Sequence, residues 1–133
     1  MKPPKLLLEP WQKQALYFVT GLLWLSGAFW LYLTVEDPSR PLWLKIHGAA
    51  AMAFLVVFGT LLIQHVPGGW KQNRERSSGA PLIGLCAFLI LTGWGLYYIG
   101  EDQFRHWISL SHSYLGLLLP VLIASHVWLG RNR

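Results

Sequence analysis

Residues 46–66 read IHGAAAMAFLVVFGTLLIQHV, an apolar run without Asp, Glu, Lys or Arg that has a histidine near each end. About 20 apolar residues are enough for a helix to cross the hydrocarbon core of a bilayer. Three further segments, 15–35, 80–100 and 107–130, are equally free of charged side chains. Backbone polar groups that face lipid must be paired within their own segment, and these runs lack strand-like alternation. Each run is therefore predicted to be a transmembrane helix.

The four runs account for most of the 133 residues and leave no linker long enough for a second domain. The sequence predicts a single all-α membrane domain over residues 1–133, a four-transmembrane-helix up-down bundle with short loops. Residues 1–10 are too polar for the apolar region of a signal peptide, and the first apolar run is too long for one. We therefore expect that run to stay in the protein as a membrane span.

Lysines and arginines are distributed unevenly between the two sides of such a bundle. Most of the eleven lie in the N-terminal tail, in the loop 67–79 and at the C-terminus, and few lie in the other two loops. By the positive-inside rule, both termini are expected in the cytoplasm. The basic residues flank membrane spans and are not clustered, so the net charge of +5 indicates topology and not a nucleic-acid partner.

Four histidines lie inside the predicted spans, two in the second and two in the fourth. An ionisable residue inside a membrane span is costly and is by default a candidate for function. His47 and His65 are 18 residues apart, which is five helical turns and about 27 Å. His112 and His126 are 14 residues apart, about 40° short of four turns and about 21 Å. Each pair therefore lies on one face of its helix.

The second and fourth spans run in the same direction, and in an up-down bundle they lie diagonally across the core. His47 is then expected opposite His112 near the periplasmic side, and His65 opposite His126 near the cytoplasmic side. Haem fits between two facing imidazoles, because its iron accepts two axial nitrogens and a fully ligated iron suits electron transfer. Two bis-histidine haem sites are predicted, and a single haem held by His47 and His112 is the alternative.

Cysteine content narrows the type of haem. Cys86 is the only cysteine, so the chain has neither the Cys-x-x-Cys-His motif of covalent haem attachment nor the ligands of an iron–sulfur cluster. The expected cofactors are two non-covalently held haems b.

Axial histidines usually donate their second ring N–H to an acceptor. Helix carbonyls can take this role, and so can the hydroxyl groups near the ligands in sequence, which belong to Thr60, Ser109, Ser111 and Ser125. Glycines on the first and third spans are candidates for passing close to an edge of the haem ring; these are Gly21, Gly27, Gly84, Gly93 and Gly95.

In this layout the chain resembles the four-helix di-haem membrane cytochromes b. The group includes bacterial b-type quinol-reactive cytochromes and the cytochrome b subunits of respiratory dehydrogenases and hydrogenases. The local motifs are Lys45-Ile46-His47-Gly48, Gln64-His65-Val66, Ser111-His112-Ser113-Tyr114-Leu115-Gly116 and Ser125-His126-Val127-Trp128. The placement of both ligand pairs on the second and fourth spans is similar to the pattern in the respiratory-chain cytochromes b. The family's spacing on both helices is close to that of His112 and His126, and the spacing of His47 and His65 departs from it by four more residues.

The resemblance implies transmembrane electron transfer in the bacterial inner membrane. The chain is then either a small cytochrome that reacts with quinol or superoxide or the membrane subunit of a larger redox complex. The implied partners are membrane lipid, a quinone or periplasmic redox protein, and other subunits. Whether the chain is itself an enzyme stays open, because its loops hold no flavin, nucleotide or iron–sulfur motif.

A different class of protein is a metal or haem transporter or assembly factor that uses the intramembrane histidines. Intramembrane carboxylates or methionine-rich tracts would favour metal transport. The predicted spans carry no carboxylate and only Met52.

Overall fold

A computed structural model of the protein describes residues 8–72 and 76–131, which form four α-helices. They are α1 (Pro10–Tyr32), α2 (Arg40–Lys71), α3 (Arg76–Tyr98) and α4 (Asp102–Arg131). Each is long and apolar enough to cross a membrane, and the described ranges contain no strand. The prediction of an all-helical chain with four membrane spans is thus confirmed.

The helices begin and end at other residues than the apolar runs. α1 ends at Tyr32, so Thr34 and Val35, predicted inside the first span, lie in the loop. α2 continues past Pro67 to Lys71, although the proline has no N–H to donate within the helix. With 32 residues α2 is about 48 Å long. It is therefore longer than the thickness of a hydrocarbon core, about 30 Å.

Internal contacts divide the chain into two compact units, Met1–Arg76 and Ser77–Arg133. In the first unit, α1 and α2 are antiparallel neighbours. Ser26, near the end of α1, contacts His47, near the start of α2, and Gln12, near the start of α1, contacts Gln64, near the end of α2. The first unit is therefore a helical hairpin.

The second unit repeats this arrangement with α3 and α4. Ser78, at the start of α3, contacts His126 near the end of α4. Thr92, 14 residues further along α3, contacts His112, which lies 14 residues earlier on α4. Equal steps on both helices are the register of two antiparallel helices that stay in contact along their length.

An arginine at the start of α2 and another at the start of α3 each contact the end of the preceding helix. The guanidinium of Arg40 lies 4.4 Å from the ring centroid of Trp30, and its Nε donates to the Trp30 carbonyl oxygen at 3.3 Å. Arg76 lies 5.3 Å from the ring centroid of Trp70 and donates to the carbonyl oxygen of that residue. Carbonyls in the last turn of a helix lack an intrahelical donor, so each arginine satisfies one of them and also stacks on an aromatic face.

A pair of amide side chains joins α1 and α2 near the start of α1. Gln12 is only 2% exposed. Its Oε1 accepts from the backbone N–H of Glu9 at 3.1 Å, and its Nε2 donates to Oε1 of Gln64 at 2.5 Å. This bond links the two helices directly within an apolar hairpin.

Replacement of Gln12 by leucine is expected to lower the free energy of unfolding by about 0.6 kcal/mol, the average measured for hydrogen bonds between membrane helices, and by no more than about 1.7 kcal/mol, the largest value measured. The measurement is unfolding of the protein in mixed micelles. Gln14→Leu is the matched control, because Gln14 lies two residues away on α1 and is exposed. Equal stabilities of the two variants would show that the amide pair contributes nothing.

Candidate functional site

His47 lies in the second turn of α2, and its imidazole rests against α1. Nδ1 of His47 donates to the carbonyl oxygen of Leu23 at 3.0 Å and lies 3.2 Å from the hydroxyl oxygen of Ser26. The hydroxyl of Ser26 donates its own proton to the carbonyl of Leu22 at 2.6 Å. Both neighbours of Nδ1 are thus acceptors, so Nδ1 carries the proton. The lone pair of the neutral imidazole is then on Nε2.

His112 makes a similar contact with α3. Its Nδ1 lies 2.9 Å from the hydroxyl oxygen of Thr92. The Thr92 hydroxyl donates to the carbonyl of Phe88 at 2.8 Å, and with its proton there the Thr92 oxygen is an acceptor for an Nδ1–H group. This arrangement is compatible with an imidazole lone pair on Nε2, as in His47.

His126 makes the corresponding contact at the other end of the second unit. The hydroxyl oxygen of Ser78 is 2.9 Å from Nδ1 of His126. Ser78 lies in the first turn of α3, and Thr92 lies near the end of the same helix. One helix therefore supplies a hydroxyl to each of the two histidines of α4.

A glycine follows each of these three hydroxyl residues. We call Ser26-Gly27, Ser78-Gly79 and Thr92-Gly93 the hydroxyl–glycine pairs. A Cβ atom added to the glycine would lie 3.2 Å from Cε1 of His47 at Gly27, 3.3 Å from Cε1 of His112 at Gly93, and 3.5 Å from Cε1 of His126 at Gly79. The edge of each imidazole therefore rests directly on helix backbone that has no side chain.

Three of the four hydroxyl groups near the histidines in sequence hydrogen-bond to their own helices. Thr60 donates to the Val57 carbonyl, Ser111 to the Ile108 carbonyl and Ser125 to the Val121 carbonyl. The groups that contact Nδ1 come instead from the preceding helix of each hairpin, because a helix places its successive side chains at different angles around its axis. Of the predicted alternatives, the helix carbonyl is found for His47, at Leu23.

The remaining histidines have other surroundings. His65 lies in α2 directly after Gln64, which receives the amide hydrogen bond from Gln12. His106 lies near the start of α4 and is exposed. Its ring packs edge-on against the ring of Trp107, with 6.0 Å between the two ring centroids. The pairings of His47 with His112 and of His65 with His126 stay predictions.

Among the described residues, no group of three or more His, Cys, Asp or Glu side chains is arranged to hold a metal ion. The described residues thus form four helices that are long and apolar enough to cross a membrane, as in a multi-pass membrane protein, and His47, His112 and His126 each contact the neighbouring helix through Nδ1. Comparison of the chain with protein-family models, with curated proteins and with solved structures finds no match.

Proposed function

We propose that the chain is a b-type cytochrome that carries electrons across the membrane through two haems. Its axial ligands are His47, His65, His112 and His126, in the pairs that the sequence predicts. The observation that supports this best is the hydrogen bond from Nδ1 of His47 to the Leu23 carbonyl, which leaves the lone pair on Nε2. Haem iron binds an imidazole through a nitrogen lone pair, and a ligating histidine normally donates its other ring N–H to a fixed acceptor.

The imidazole nitrogens of the four histidines also suit haem iron chemically. Neutral imidazoles are axial ligands of haem iron, and an apolar span accommodates them at lower cost than carboxylates. When bound, haem supplies an iron centre that takes up and releases one electron. Two imidazoles on each iron leave no coordination position for oxygen, which favours electron transfer over oxygen chemistry.

The contribution of the chain is to hold the ligands ready. The Leu23 carbonyl and the hydroxyl oxygens of Ser26 and Thr92 keep Nδ1 protonated, so the lone pair is on the ligating nitrogen before any cofactor arrives. Acceptors at Nδ1 also make the imidazole a stronger donor to iron. Apolar helices around the ligands exclude water and so influence the redox potential.

We also propose a location and an orientation for the protein in the cell. Lysines and arginines are concentrated in the tail, the loop 67–79 and the C-terminus, which favours both termini in the cytoplasm of a bacterial inner membrane. Electrons then pass between a periplasmic redox protein or a quinone on one side and a partner on the other side. Such a chain works either alone or as the membrane subunit of a larger redox complex.

Purified from cells with ample haem, the protein is expected to hold two haems b per chain, because it has two histidines for each of two irons. The measurement is extracted haem per protein, with a reduced-minus-oxidised absorption spectrum to identify low-spin, bis-histidine haem. A ratio of one would favour the single-haem alternative at His47 and His112. A colourless protein would contradict the proposed function.

A further inference from the structure

We propose that the hydroxyl–glycine pairs are positioning elements that fix the tautomer and the ring plane of the facing histidine before the cofactor binds. The inference rests on the proposed function only where it calls the histidine a haem ligand. Thr92-Gly93 serves as the example, because Thr92, Gly93 and the facing His112 all lie in the second unit.

The two residues of the pair contact neighbouring atoms of the same ring. Thr92 Oγ1 lies 2.9 Å from Nδ1 of His112, and a Cβ at Gly93 would lie 3.3 Å from Cε1 and 3.9 Å from Nδ1. The hydrogen bond selects the protonated nitrogen, and the close approach of the backbone at Gly93 limits rotation of the ring. A ring restricted in both ways loses less conformational freedom on binding a ligand than a mobile one.

The glycine is needed for a steric reason. Ordinary van der Waals contact to a Cβ begins at about 3.4 Å, so an alanine at position 93 would require the His112 ring to move. Gly84, on the same helix, has no atom within 4 Å of an added Cβ. The same substitution at Gly84 therefore leaves the His112 ring where it is.

The chain also contains the dipeptide in a place where it faces no imidazole. Thr20-Gly21 lies in the middle of α1, and nothing lies within 4 Å of a Cβ added at Gly21. The hydroxyl oxygen of Thr20 is buried and makes no hydrogen bond with the described residues. The contact seen at the other three pairs thus depends on a histidine of the facing helix and is not a property of the dipeptide alone.

The first test uses the protein without haem. Histidines labelled with ¹⁵N report their tautomer by NMR at pH about 8, above the ordinary imidazole pKa of about 6.5. In wild type and in Thr92→Ser, His112 is expected as the Nδ1–H form, because both retain a hydroxyl acceptor. In the isosteric Thr92→Val, the Nδ1–H form is expected to be lost. Its persistence in Thr92→Val would overturn the proposed role of the hydroxyl.

The second test addresses the glycine. Gly93→Ala is expected to move the side-chain resonances of His112 in the haem-free protein, and Gly84→Ala is expected to leave them unchanged. Equal effects of the two variants, or none, would overturn the proposed role of Gly93. Alanine favours helix over glycine, so neither variant weakens α3 through helix propensity.

Haem titration then connects positioning to ligand binding. Loss of such a hydrogen-bond partner typically weakens metal affinity about 10- to 100-fold, and we expect this range for Thr92→Val, with Thr92→Ser close to wild type. An unchanged affinity in Thr92→Val would contradict a positioning role in haem binding. A wild-type chain that takes up no haem but shows the NMR changes would refute the proposed function and leave the positioning of His112 intact.

Discussion

Replacement of His112 by alanine is expected to reduce the haem content from two per chain to one. In the proposed arrangement, the iron bound by His112 would keep a single imidazole, His47, and a b-type haem has no covalent bond to hold it in the protein. The proposed second site, at His65 and His126, would retain both ligands. The measurement is extracted haem per protein, together with the amplitude of the low-spin spectrum.

His106→Ala is the matched control for this experiment. His106 lies six residues before His112 on α4, is exposed, and packs against Trp107 near the start of the helix. This variant is expected to keep two haems, since it removes an imidazole without removing a ligand. Two low-spin haems in His112→Ala would show that His112 is not an axial ligand.

The four helices could be predicted because the hydrocarbon core imposes a simple rule on the sequence. A run such as 46–66, with no charged residue and enough length to cross, has only the helix as a stable conformation in lipid. The ends of the helices follow other rules. Val35 is apolar and yet lies in a loop, and Pro67 lies inside α2 and not at its end. Hydropathy does not predict where these helices end, because the hydrocarbon core of the bilayer constrains only the residues that lie within it.

The histidines could be identified from spacing, but their acceptors could not be found by looking near them in sequence. A side chain close in sequence bonds to its own helix, as Ser111 does to the Ile108 carbonyl. The group that meets Nδ1 belongs to the helix packed alongside. A usable signal was present at the third span, because Ser78-Gly79 just before it and Thr92-Gly93 within it are 14 residues apart, the same spacing as His112 and His126. Matching intervals on antiparallel helices predict contacts at both positions.

In the first unit, the same 14-residue interval leads to a different kind of contact. Counting 14 residues back from Ser26 on α1 gives Gln12, which corresponds to Ser78 of the second unit. Gln12, however, contacts Gln64 and is linked to it by an amide hydrogen bond. Gln64 lies 17 residues after His47, and His65 follows it. Compared with the 14 residues between His112 and His126, the four extra residues between His47 and His65 therefore end beside this amide pair.

Replacement of His126 by alanine is expected to abolish electron transfer across the membrane while one haem stays reducible from outside. Along α4, the 14 residues between His112 and His126 cover about 21 Å, so the two proposed haems would lie near different surfaces. A single redox centre near the periplasmic surface equilibrates with donors on that side only, and crossing the bilayer needs both centres. The measurement uses right-side-out vesicles that enclose an impermeant acceptor and receive an impermeant donor from outside.

Ser125→Ala provides the control in the same vesicles, because the Ser125 hydroxyl bonds to the Val121 carbonyl of its own helix and the variant keeps the His126 imidazole. Transfer to the enclosed acceptor should survive in Ser125→Ala and disappear in His126→Ala, with reduction of the remaining haem retained in the latter. Intact transfer in His126→Ala would refute the two-haem relay. That result would favour the alternative of a single haem held by His47 and His112.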